Sequence, residues 1–257
     1  MNTNAYWPLL TAIFISISAS LLGSFVILKK MSLVGDALSH VALPGLALGI
    51  LFHFNPFIGA FLTLVLAITG IWFLKYQTSL PIDTLVGIFF TTSLAIGVLL
   101  IPQQDLLEAM FGNIESITAR ESIITIALSI ISVIILLIIR KKLIVNMLSE
   151  ELAQSIGINN KLIEFIYLII FALAVALGIK SIGALLMGSL VIIPAASAKN
   201  IAKSFAGFMS WSVMFGIISS VLGIYAADAL KVTPGPIFIL SATFIFIASF
   251  LFRKIRA

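Results

Sequence analysis

The feature that most limits what this chain can fold into is a succession of apolar runs, at roughly residues 8–28, 37–52, 56–74, 84–101, 122–139, 162–178, 181–198, 205–227 and 236–252. Most have the length, about 17 to 21 positions, that crosses ~30 Å of hydrocarbon as a helix. In lipid each backbone N–H and C=O must be satisfied within its own segment or in a closed barrel, so runs of this length imply helices. The second run is short and the seventh contains Pro194, so the pattern predicts nine spans, or eight full spans and one broken one. The expected fold is an all-α membrane protein, a polytopic bundle in a lipid bilayer. No internal repeat or linker divides residues 1–257, which reads as a single domain.

Composition agrees: 61% of the 257 residues are hydrophobic and 10% are charged, against about 25% charged in a soluble domain. The net charge of +5 comes from basic residues placed singly or in short groups at the ends of runs. That is unlike the continuous stripe a nucleic-acid binder needs, so no nucleic-acid partner is expected. With the N-terminus outside, twelve of the 15 basic residues fall in the cytoplasm: Lys29, Lys30, Lys75, Arg140, Lys141, Lys142, Lys161, Lys199, Lys203, Arg253, Lys254 and Arg256. The positive-inside bias therefore predicts a multi-pass membrane protein, N-terminus out and C-terminus in. Residues 1–7 lack a signal peptide's basic region and cleavage site, so the first run is expected to stay in place. There is no cysteine, which removes disulfides and thiolate metal sites from consideration.

Two connections are long. The outer one, residues 102–121, is acidic, with Asp105, Glu108, Glu115 and Glu121 against one arginine; it concentrates cations, receives a binding protein or is simply solvated. The inner one, residues 140–161, holds a short predicted helix: Ser149 suits an N-cap, Glu150 and Glu151 suit the positive end of the helix dipole, and Gly157 can end the turn. Leu148, Leu152 and Ile156 then share one face, which docks either on a partner or on the bundle itself.

The chemistry concentrates in residues 31–49, MSLVGDALSHVALPGLALG. Asp36 and His40 are four apart, stacked on one helix face with Cβ atoms about 6 Å apart. A carboxylate and an imidazole so placed can share a divalent cation, and a charged group inside a bilayer is costly enough to mark a functional site. Gly45 and Gly49 lie on the opposite face, where they favour close helix packing. Pro44 cannot donate to the His40 carbonyl, which is thereby freed beside the imidazole. The plainer alternative makes Asp36 an interfacial N-cap and His40 a hydrogen-bond partner of a neighbouring helix. Two ligands are also too few for zinc or manganese, an objection that a symmetric dimer removes. His53 and Asn55, Asp83 and Asp228 sit near the ends of runs, where solvation or capping accounts for them.

The chain has no phosphate-binding GxxxxGK[ST] loop, no HExxH and no GxSxG, so neither ATP hydrolysis nor intramembrane proteolysis is encoded. It is not expected to be an enzyme, and any ATPase would be a separate subunit.

Residues 32–45, SLVGDALSHVALPG, resemble the signature of the ABC-3 family of zinc, manganese and iron importer permeases. Asp83-Thr-Leu-Val-Gly87, Met110-Phe-Gly-Asn113, the stretch from Ser149 to Gly157 and the stretch from Gly183 to Ala195 match the family in the expected order, so the likeness covers nearly the whole chain. It implies a homodimeric permease of the type II importer architecture in the bacterial plasma (inner) membrane, with cytoplasmic ABC ATPase subunits and an extracytoplasmic metal-binding protein as partners. By the same resemblance, Asp36 and His40 coordinate the transported zinc, manganese or iron ion, and no permanently bound cofactor is implied. Glu151, Ala153 and Gly157 fall in the segment that couples to the ATPase. Two rivals stand beside this reading: a stand-alone proton-coupled secondary transporter using Asp36 and His40 as a relay, and a membrane scaffold without transport.

Overall fold

The computed structural model describes residues 6–101, 110, 112, 114 and 117–256, without the side chains of Ser32, Leu185 and residues 253–256. The acidic residues Asp105, Glu108 and Glu115, and Phe111 and Asn113 of the outer connection, lie outside the described residues.

The longer elements are helices in chain order: α1 (Tyr6–Leu28), α2 (Ser32–Val41), α3 (Leu43–Leu51), α4 (Pro56–Gln77), α5 (Ile82–Leu100), α6 (Ala119–Leu148), α7 (Glu150–Ser155), α8 (Asn160–Ile182), α9 (Ala184–Ile201), α10 (Phe205–Leu230) and α11 (Pro234–Arg256). Counting α2 and α3 as one, eight segments among the described residues are long and apolar enough to cross a membrane. The ninth, α9, has 18 residues, or about 27 Å of helix.

Three boundaries differ from the sequence reading. The second run begins at Ser32 and not near residue 37, because Asp36 and His40, which interrupt its apolar character, lie inside α2. The break falls at Ala42, between α2 and α3, where Pro44 opens the next helix; Pro194, in contrast, is absorbed within a continuous α9. Helix α6 runs nine residues past the predicted end of its span, carrying Arg140, Lys141 and Lys142 on helix up to Leu148.

The helix ends follow local chemistry. Asn55 caps α4 by accepting from the Phe57 N–H (3.0 Å), with Pro56 in the first turn where no N–H is needed. Thr118 and Glu121 form a reciprocal capping box on α6. Among the described residues, four helices end in paired six-to-one and five-to-two hydrogen bonds, in which a left-handed residue turns the chain. At α7 the Ile158 N–H donates to the Ala153 carbonyl and the Gly157 N–H to that of Gln154. Gly157 takes the left-handed conformation there (φ 76°), whereas Lys30, His53 and Lys231 take it at the other three ends. His53 is thus an exposed helix-terminating residue.

The two ends of the bundle are marked by ion pairs. Lys29 at the end of α1 and Lys75 at the end of α4 meet Glu164 near the start of α8; at the opposite end Glu121 pairs with Lys180. Between them, α1 and α10 run antiparallel along a ladder of small polar residues. Ser16 meets Ser220, Ser20 meets Gly216, and Ser24 donates to Ser212 (2.9 Å). Each step is four residues, one helical turn, on both helices. Gly45 and Gly49 occupy the contact between α3 and α4: Gly45 lies against Gly59 and Thr63, and a Cβ at Gly49 would stand 2.6 Å from Pro56 Cα.

Candidate functional site

Helix α2 is held from several sides. A Cβ at Gly188 of α9 would stand 2.7 Å from Asp36 Cα and 3.0 Å from its Cβ and N, so Gly188 allows α9 to rest on the backbone of the acidic residue. One residue before Asp36, Gly35 leaves room for Val191 and for Phe171 of α8. On α5, Phe90 meets the His40 ring edge-on, with centroids 5.5 Å apart. The Ser39 hydroxyl donates back to the Asp36 carbonyl (2.6 Å), satisfying itself within the helix.

The two polar side chains of α2 are less enclosed. Asp36 and His40 are half-buried, and among the described residues neither side chain has a hydrogen-bond or ion-pair partner. The His40 Nδ1 is buried without a partner. Buried polar atoms are nearly always hydrogen-bonded, so an orphaned imidazole nitrogen beside a free carboxylate calls for something to bind. No three His, Asp or Glu side chains converge among the described residues. The Ala42 N–H is the cap group directed at the His40 carbonyl, the oxygen that Pro44 leaves without its usual donor.

A second polar centre was not anticipated from the sequence. Glu164 is 5% exposed and accepts from Lys29 (3.2 Å), Lys75 (2.5 Å) and the Tyr76 hydroxyl (2.9 Å). It ties α1, α4 and α8 together directly beneath the turn from which α2 starts. A cleft beside it is lined by Lys29, Lys75, Asn146, Ser149 and Glu150. An acidic residue inside an otherwise apolar run is the signal that could have found it.

Helix α7 sits on the same end. Ser149 caps it, accepting from the Leu152 N–H (3.1 Å), and the Asn160 side chain donates to the Glu150 carbonyl (2.8 Å), fixing it to α8. Ala153 is fully buried against the bundle, while Leu148, Leu152 and Ile156 are 76%, 52% and 60% exposed. Glu151 and Gly157 are exposed as well. The helix thus sets a small inward face against the bundle and leaves an apolar outward face exposed.

Comparison with known proteins gives these features a context. The chain is 38% identical to the high-affinity zinc uptake system membrane protein ZnuB of Haemophilus influenzae, covering 96% of this chain and 97% of that one. It is 33% identical to the manganese import system permease protein ScaB of Streptococcus parasanguinis, over 94% and 88% of the two chains. Among solved structures, PsaBC of Streptococcus pneumoniae in complex with a Fab superposes with a TM-score of 0.86 at 32% identity, over 96% of this chain and 91% of that one. A putative metal-chelate type ABC transporter in an inward-facing conformation shares the fold, with a TM-score of 0.76 at 16% identity. The model of the ABC 3 transport family matches residues 1–253, and the chain belongs to that family.

Proposed function

We propose that the chain is the membrane-spanning permease subunit of an ATP-binding-cassette importer that carries a divalent metal ion, zinc, manganese or iron, into the cytoplasm. The observation that carries the reading is the pair on α2: a carboxylate and an imidazole inside the bundle, with the imidazole nitrogen unpartnered. Hard oxygen and borderline nitrogen donors suit all three ions. Two copies related by a two-fold axis supply two Asp36 and two His40, a four-donor set for the ion in transit. The ion is substrate and not a resident cofactor.

The ATPase subunits dock on the bare face of α7, and the ends bearing Lys29, Lys75 and Glu164 are cytoplasmic, which puts the N-terminus outside. A metal-binding protein delivers the ion at the opposite end. The permease makes no covalent bond; ATP binding and hydrolysis on the partner switch the side to which the Asp36 and His40 sites open.

Asp36→Asn tests the reading. Uptake of zinc, manganese and iron, measured in cells that carry the cognate ATPase and binding protein, should fall at least tenfold with membrane levels unchanged. Near-normal uptake of all three ions would sink the assignment. Uptake that persists without the ATPase but collapses with the proton gradient would make the chain a secondary carrier instead.

A further inference from the structure

The register of the serine ladder sets the start of α10 beside the end of α1, at the end of the bundle that carries Lys29 and Lys75. There α10 and α11 leave a groove of about 620 Å³ between them. Its walls are apolar and aromatic: Trp211 and Phe215 from α10, Phe244 and Phe252 from α11. Trp211 and Phe215 pack together with ring centroids 5.6 Å apart.

The polar groups in this groove are of two kinds. Ser249, which lines it, is already satisfied: it accepts from the Asn200 side chain (3.0 Å) and donates to the Phe246 carbonyl (2.7 Å). Those at the mouth are positive. The exposed Lys203 stands there beside Ser204, and no Asp or Glu is among the lining residues. A neighbouring cleft shares Lys203 and Ser204 and adds Lys199. Ser204 occupies itself with the Gly207 N–H (3.1 Å), so Phe205 and Ala206, the first helical residues, keep N–H groups with no intrahelical acceptor.

We propose that this groove binds an anionic phospholipid, its phosphodiester at Lys203 and the first turn of α10 and an acyl chain laid along Trp211, Phe215 and Phe244. Basic pockets between transmembrane helices recognise such headgroups, and tryptophan settles at the headgroup boundary. Trp211 lies seven residues, about 10 Å, along α10 from Ser204, the depth at which headgroup gives way to acyl chain. The proposal shares with the transport reading only the membrane placement, so either can fail while the other stands.

Tryptophan quenching tests it. With Trp7 and Trp72 replaced by phenylalanine, Trp211 reports alone on the full-length protein in phosphatidylcholine vesicles. Phosphatidylglycerol brominated on its acyl chains should reach half-maximal quenching at about one-fifth the mole fraction needed for brominated phosphatidylcholine, and Lys203→Ala should erase that difference. Retention of phosphatidylglycerol by the unaltered chain in native mass spectrometry, reduced in Lys203→Ala, gives a second readout that does not depend on the tryptophan replacements. Equal quenching by the two lipids overturns the proposal, making the groove an ordinary lipid-facing surface. Absence of quenching by either lipid overturns it in favour of a second copy or another protein covering the groove. Loss of the preference on adding inorganic phosphate overturns it in favour of a soluble anion.

Discussion

On the proposed role of Asp36, replacing Gly188 by alanine should damage ion binding without altering either proposed ligand. The new methyl carbon would stand 2.7 Å from Asp36 Cα, where ordinary contact begins at 3.4 Å, so α2 and α9 must separate by about 0.7 Å. The opposing atoms are backbone and cannot swing aside. Overpacking of this kind costs about 1–3 kcal/mol, and ligand geometry tolerates displacements of only about 0.5 Å. The displaced Asp36 should therefore weaken apparent ion affinity by about 10- to 100-fold, the range found when a group supporting a metal ligand is lost. The assay is the concentration dependence of ion uptake, with folding checked by thermal unfolding in detergent. Gly87→Ala is the control, since a Cβ there meets nothing within 4 Å. The double change with Asp36→Asn should add little to Asp36→Asn alone, because both act on one site. A folded Gly188→Ala protein whose apparent affinity stays within twofold of the parent would refute the argument.

Glu164→Gln should lower stability by about 3 kcal/mol, the lower end for breaking a buried ion pair because Lys75 is 25% exposed; thermal unfolding in detergent reads it. Leu152→Asp should abolish copurification of the ATPase while leaving the unfolding temperature unchanged, since the side chain is 52% exposed. Ser24→Ala should cost only about 0.6 kcal/mol, the average for hydrogen bonds between transmembrane helices, measured by the same unfolding assay.

Much of this was legible in the sequence for local reasons. Asp36 and His40 are four residues apart, and that spacing alone puts them on one helical face. Ser149 and Gly157 frame α7 by rules that act within a turn or two, and they do so in the structure. The runs also announced their helices, because apolar length and backbone satisfaction are properties of each segment taken singly. What depended on distant residues stayed hidden. Gly188 gives no sign in its own stretch that it rests on Asp36, and the two meet only because α9 crosses α2. Glu164 reads as a flaw in an apolar run until Lys29, Lys75 and Tyr76 arrive from two other helices. The break at Ala42 in place of Pro194 is of the same kind: a proline near a helix start is easily accommodated, and one inside a helix is accommodated when its neighbours hold it.

The ladder between α1 and α10 has a bearing on how the chain is made. Ser16 and Ser220 are separated by 204 residues, so at about 5–20 residues per second the ribosome needs about 10–40 s to deliver the second after the first. Throughout that wait the hydroxyls of α1 are immersed in lipid without their mates. Two of them have an acceptor within α1 itself, Ser16 in the Ala12 carbonyl (2.7 Å) and Ser24 in that of Ser20 (3.3 Å), as Ser212 and Ser220 do within their own helix. The newborn first helix can thus dissolve in the bilayer as an apolar rod and still carry the adhesive that closes the bundle when synthesis is nearly done.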